Sequence, residues 1–109
     1  MNSRLEIAAA EYKLDSAAGL PYAEEAVKLN PRMPFAHYLL GLLYLDTDNY
    51  QKAIPELEIA EKSFRMDAQL YFALGSAYSR AGRKQDAERA RGTFQRLSKE
   101  SPEESKASY

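Results

Sequence analysis

Apolar and small residues recur along this chain at helical spacing, and the helical stretches themselves recur every 34 residues. His37-x-x-Leu40-Gly41-x-x-Tyr44 is followed 34 residues later by Tyr71-x-x-Leu74-Gly75-x-x-Tyr78, and twelve residues after each glycine stands an alanine, Ala53 and Ala87. Pro21 and Pro55 are also 34 apart, in Gly19-Leu20-Pro21-x-x-x-x-Ala26 and Ala53-Ile54-Pro55-x-x-x-x-Ala60. A fixed period in this range is the mark of a repeat architecture, in which no single unit buries its own apolar face and neighbours must stack.

The spacing predicts three units, about 1–33, 34–67 and 68–101, each an antiparallel helical hairpin. Pro34 suits a first helical turn, where its missing N–H is not needed. Asp46, Asp48 and Asn49 end that helix and are placed to cap the next one, which runs through Ala53, Leu57 and Ala60. Asp67 is read as the cap of a helix over Ala68 to Arg80, and Gly82 as the positive-φ residue of the following turn. The last helix is predicted from Lys84 to Ser98. Pro55 and Pro21 should lie inside their helices and bend them, since each removes a backbone hydrogen bond. In the first unit, Leu5-x-x-Ala8-Ala9-x-x-Tyr12 fits the opening pattern with a turn near Asp15 shortened by about two residues. After Pro102 the composition turns to Glu, Ser and Lys, and residues 102–109 are expected to be a disordered tail.

These motifs resemble tetratricopeptide repeats over roughly residues 3–100. The resemblance implies an all-α fold, an α–α superhelix of three antiparallel hairpins whose first helices line a concave groove. It assigns structural roles to Gly41, Tyr44, Ala53, Ala60, Gly75, Tyr78 and Ala87, with the small residues letting helix axes approach closely. Two departures stand in the last unit: Arg91 where the second has Leu57, and Phe94 where the second has Ala60. A charge and a large ring in slots that normally receive the next hairpin imply that the array ends there.

Composition narrows the function. The 109 residues carry a net charge of −1, one histidine and no cysteine, which removes disulfides and cysteine-based metal or redox chemistry. No apolar run approaches the ~18 residues of a membrane span, and Glu6, Glu11 and Asp15 interrupt the amino-terminal stretch where a signal peptide would need an apolar core. That favours a cytoplasmic protein. His37 occupies the slot of Tyr71 and is read as packing. Glu24, Glu25, Glu56, Glu58 and Glu61 are read as solvated faces of outer helices, and Ser76 and Ser79 lack the base a nucleophile needs. No enzyme, cofactor or metal is expected.

Charge is unevenly distributed: four basic and five acidic groups in residues 1–33, three and six in 34–67, seven and three in 68–101. The basic end has no interleaved aromatics for base stacking, so nucleic acid is not expected. A second helical stripe, beside the packing stripe, carries the candidate binding residues: Phe35, Tyr38, Leu39, Leu42 and Leu45, ending at Asp46, then Gln69, Phe72, Ala73, Ser76 and Ser79, ending at Arg80. Side by side these are expected to make a patch centred on Tyr38, Leu42 and Phe72. Exposed apolar surface of this kind marks an interaction site, here for a peptide or amphipathic helix of a protein partner. The competing readings are that the stripe thickens the core between hairpins, that it drives weak self-association, or that the chain is part of a longer array. Heat-shock-chaperone clamps of the resembling family use basic residues in the groove; Glu6, Ala10, Leu39, Gln69 and Ala73 stand in those slots, which argues against that ligand.

Overall fold

The computed structural model of the chain describes residues 16–99. These residues form five helices: α1 Ser16–Leu29, α2 Pro34–Asp46, α3 Tyr50–Glu61, α4 Ala68–Arg80 and α5 Lys84–Lys99. Turns of three to six residues join them, and each helix packs on its neighbours in sequence, with α2 also touching α4. Short connections make such neighbours antiparallel. The hairpins α2–α3 and α4–α5 are thus complete, and α1 packs on the first of them from the amino-terminal side. The helix expected over the first fifteen residues and the tail expected over 102–109 lie outside the described residues.

Local chemistry sets the helix limits much as expected. Pro34 is in the first turn of α2, and Met33 ahead of it is extended. Asp67 caps α4, its Oδ1 accepting from the Gln69 amide at 3.0 Å. Gly82 turns the chain between α4 and α5 at φ 79°. In the α2–α3 turn the left-handed residue is Asp48, at φ 65°. Asn49 sits at the cap position of α3, but its side chain turns back to Thr47 Oγ1 at 3.0 Å and makes no cap bond. Both α1 and α3 continue through their prolines, Pro21 and Pro55, which lie on the exposed side of each helix.

Two apolar clusters form the core. One joins α1 to α2 through Ala23, Ala26, Ala36, Leu39, Leu40 and Leu43. The larger one joins the second and third hairpins, with Leu57, Leu70 and Leu74 fully enclosed. Ala53, Ala60 and Ala87 are buried, as close helix approach requires. The two repeat glycines differ. A Cβ on Gly41 would lie 2.6 Å from Leu57 Cγ, so this is a true close contact. A Cβ on Gly75 would meet Arg91 Cγ at 3.5 Å, an ordinary distance. The tight packing expected at both positions therefore exists only at Gly41, because Arg91 extends away where Leu57 turns inward.

Candidate functional site

The binding stripe predicted on α2 divides into residues that are covered and residues that are open. Tyr38 and Leu39 are 6% and 3% exposed, so the exposure expected of them does not occur. Leu39 is sealed against α1. Tyr38 is closed over by the third hairpin and by Phe64 of the α3–α4 turn, whose ring centroid lies 5.3 Å away. Leu42 and Leu45 pack half-buried against the same cluster. For these four residues, packing between hairpins accounts for much of the apolar character.

What remains open is Phe35, 46% exposed at the start of α2 with its ring edge-on to Tyr38, and Phe72, 62% exposed on α4. Gln69 and Asp46 are exposed, and Ser76 is half-buried. Arg80 is exposed but engaged, its Nη1 donating to Asp48 Oδ1 at 2.9 Å across the boundary between hairpins. Phe72 does not complete a patch with Tyr38. It faces the carboxy-terminal side of the stack, where its ring meets Phe94 at 5.6 Å. Phe72, Gly75, Ser76, Arg91, Phe94 and Gln95 surround an open cavity of about 300 Å³.

Three carboxylates read as solvated surface prove to hold helices together. Tyr44 on α2 donates to Glu24 on α1 at 2.8 Å, and Tyr78 on α4 donates to Glu58 on α3 at 2.5 Å. Both members of these pairs are 34 residues apart, so the same bond crosses both hairpin boundaries. Burial and the neighbouring carboxylate push both phenols well above the usual tyrosine range. Glu56 reaches His37 Nδ1 at 2.6 Å, while His37 Nε2 donates to the Pro31 carbonyl at 2.6 Å. His37 is buried and held on both sides, in keeping with a packing role. The matching registers of Glu24 with Glu58 and of Tyr44 with Tyr78 were visible in the sequence and are the signal that would have found the bonds.

One hairpin later, Tyr71 takes the place of His37 and Ala90 that of Glu56. Space opens there into a cleft of about 340 Å³ bounded by Glu61, Arg65, Tyr71, Asp86, Arg89 and Arg96. Its charges largely compensate one another. Asp86 accepts from Arg83 Nε at 2.9 Å and from Arg89, and its hydrogen bond to Arg83 holds it below the usual carboxylate range. The Arg83 guanidinium also lies 4.7 Å over the Tyr78 ring. Among the described residues no group of His, Cys, Asp and Glu could hold a metal ion, and no helix is long and apolar enough to cross a membrane.

Comparison with known proteins agrees with this architecture. No curated protein matches the sequence. A solved structure described as the MamA RS-1 ArsTM double mutant superposes with a TM-score of 0.81 at 25% identity, over 86% of this chain and 53% of its own. A second, MamA AMB-1, gives 0.71 at 16% identity, over 90% of this chain and 56% of its own. The chain therefore spans just over half the length of both. The sequence model of the tetratricopeptide repeat matches residues 5–58 and again 38–90. With that match across most of its length and the stacked hairpins it predicts, this chain belongs to the tetratricopeptide repeat family.

Proposed function

We propose that this chain is a protein-interaction module that holds a peptide or an amphipathic helix of a partner against the groove formed by α2 and α4. The observation that carries the reading is the exposure of Phe35, which breaks the surface at 46% on a helix whose other large apolar residues are covered or half-covered. Leu42 and Leu45 supply a half-buried apolar floor, and Gln69, Ser76, Asp46 and Arg80 supply the polar border. An aromatic anchor beside an aliphatic floor with a polar border is the arrangement in which interface energy concentrates. The groove is small, so affinity on the order of micromolar is expected.

The test is capture of partners from a native lysate, followed by titration of the recovered partner against the wild type and Phe35→Ala. Loss of at least tenfold in affinity, with a melting temperature near that of the wild type, supports the groove. Unchanged affinity of Phe35→Ala for every recovered partner overturns it. Self-association is the second reading, and sedimentation at several concentrations checks it directly.

A further inference from the structure

Moving every residue forward by 34 positions shows which surface the stack leaves open. Tyr38 maps to Phe72, Gly41 to Gly75, Leu57 to Arg91 and Ala60 to Phe94. In the second hairpin Tyr38, Leu57 and Ala60 belong to the cluster shared with α4, Phe64 packs on Tyr38, Gly41 packs on Leu57, and all four are buried. In the third hairpin the same positions line the open cavity of about 300 Å³. The backbone shape of a helix-receiving floor is therefore repeated at the carboxy-terminal face, but its chemistry has changed in two ways.

The first change places Arg91 in the floor. Its guanidinium makes a single long hydrogen bond, 3.5 Å to Ser79 Oγ, and it belongs to a unit with seven basic and three acidic groups. The second change removes an anchor. Glu58, which accepts from the tyrosine of the following hairpin, maps to Gly92, and nothing lies within 4 Å of where a Gly92 side chain would begin. Another hairpin of the same kind would lose both the apolar Leu57 contact and the tyrosine bond. A second copy of this chain is thus poorly matched to the face.

We propose that the α4–α5 face lined by Phe72, Gly75, Arg91 and Phe94 docks one amphipathic helix of a partner protein, which presents a carboxylate to Arg91. The two aromatic rings take the apolar side of that helix. Arg91 selects for the acidic residue, since a charge-assisted bond to a carboxylate is the strong pairing open to a guanidinium. Of the groove centred on Phe35 this cavity shares only the border residue Ser76, and an isolated helix needs no tyrosine at the Gly92 end.

The experiment uses the full chain and two synthetic amphipathic helical peptides with the same leucine and alanine face. One carries glutamate beside that face and the other carries lysine. Amide shifts of Gly75 and Gly92 report occupancy. The glutamate peptide should bind the wild type about tenfold more tightly than the lysine peptide, a difference of about 1.4 kcal/mol. Arg91→Glu should reverse the preference, and Phe94→Ala should weaken both peptides while circular dichroism shows the fold retained. Phe35→Ala should leave both titrations unchanged, which separates failure here from failure of the groove. The proposal is overturned if Arg91→Glu keeps the wild-type preference, or if the shifts centre on Phe35 and Leu45. It is overturned equally if these resonances move with protein concentration alone, indicating a second copy, or on replacing Glu103 and Glu104 by lysine, indicating the chain's own tail.

Discussion

Gly41 and Gly75 occupy one repeat position in two packing environments, so the same substitution should act on stability with opposite sign. In Gly41→Ala the new methyl would start 2.6 Å from Leu57 Cγ and Cδ2 and 3.3 Å from the Leu57 amide nitrogen. Carbon pairs prefer about 3.5–4.0 Å, so the neighbour must yield roughly an ångström. Leu57 is fully enclosed and cannot swing aside without disturbing α3. Overpacking of that kind costs about 1–3 kcal/mol, against a gain of about 1 kcal/mol from replacing a helical glycine by alanine. The net expectation is a loss of about 0–2 kcal/mol for Gly41→Ala. In Gly75→Ala the nearest atom is Arg91 Cγ at 3.5 Å, on an exposed side chain, so the helical gain stands nearly alone. Thermal and urea melts on both variants should separate them by about 4–8 °C for each kcal/mol of difference. Leu57→Ala supplies the control: by itself it should cost about 2–5 kcal/mol, and in that background Gly41→Ala should become neutral or stabilising, because the two sites are in contact. Equal stabilisation by both alanines would refute the reasoning, as would a Gly41→Ala penalty that persists without Leu57.

Two further expectations follow from burial and from the tyrosine bonds. Tyr38→Ala should destabilise by about 3–5 kcal/mol, as large-to-small changes at buried aromatics do, whereas Phe72→Ala should cost below about 1 kcal/mol; denaturant melts distinguish the two, and similar losses would mean that Phe72 is also core. Above about pH 10, the unfolded chain ionises Tyr44 and Tyr78 while the folded chain keeps them protonated, so stability should fall as pH rises toward their raised folded values. Tyr44→Phe with Tyr78→Phe should flatten that fall in melts from pH 9 to 11, and an unchanged slope would place its origin elsewhere.

The period was legible because stacking imposes it directly. Gly41, Ala53, Ala60 and Ala87 recur in the pattern since helices at these places leave little room, Gly75 keeps the period without that crowding, and the turn residues Asp67 and Gly82 acted as their local chemistry dictates. The fate of the second stripe was not legible. A run such as Phe35, Tyr38, Leu42 and Leu45 states that one helix face is apolar, and says nothing of whether another hairpin covers it. Tyr38 is hidden by residues more than twenty positions later, Phe64 and the third hairpin, and only the stacking offset decides that. Phe72 has the same local spacing and is exposed, because among the described residues no further hairpin covers it. Glu24 and Glu58 escaped notice for a related reason: a glutamate on an outer helix looks solvated until a tyrosine from the next unit is set beside it.

The paired bonds from Tyr44 to Glu24 and from Tyr78 to Glu58 bear on the shape of the stack as a whole. Apolar surfaces attract without regard to direction, so contacts among leucines and alanines alone would let one hairpin swivel on another at little expense. A hydrogen bond has a required length and angle. Placed in the same register at both boundaries among the described helices, it acts as a dowel that helps to fix the rotation from one unit to the next. A superhelix multiplies that rotation along its length, so two phenols and two carboxylates take part, beside the packed core, in setting its pitch.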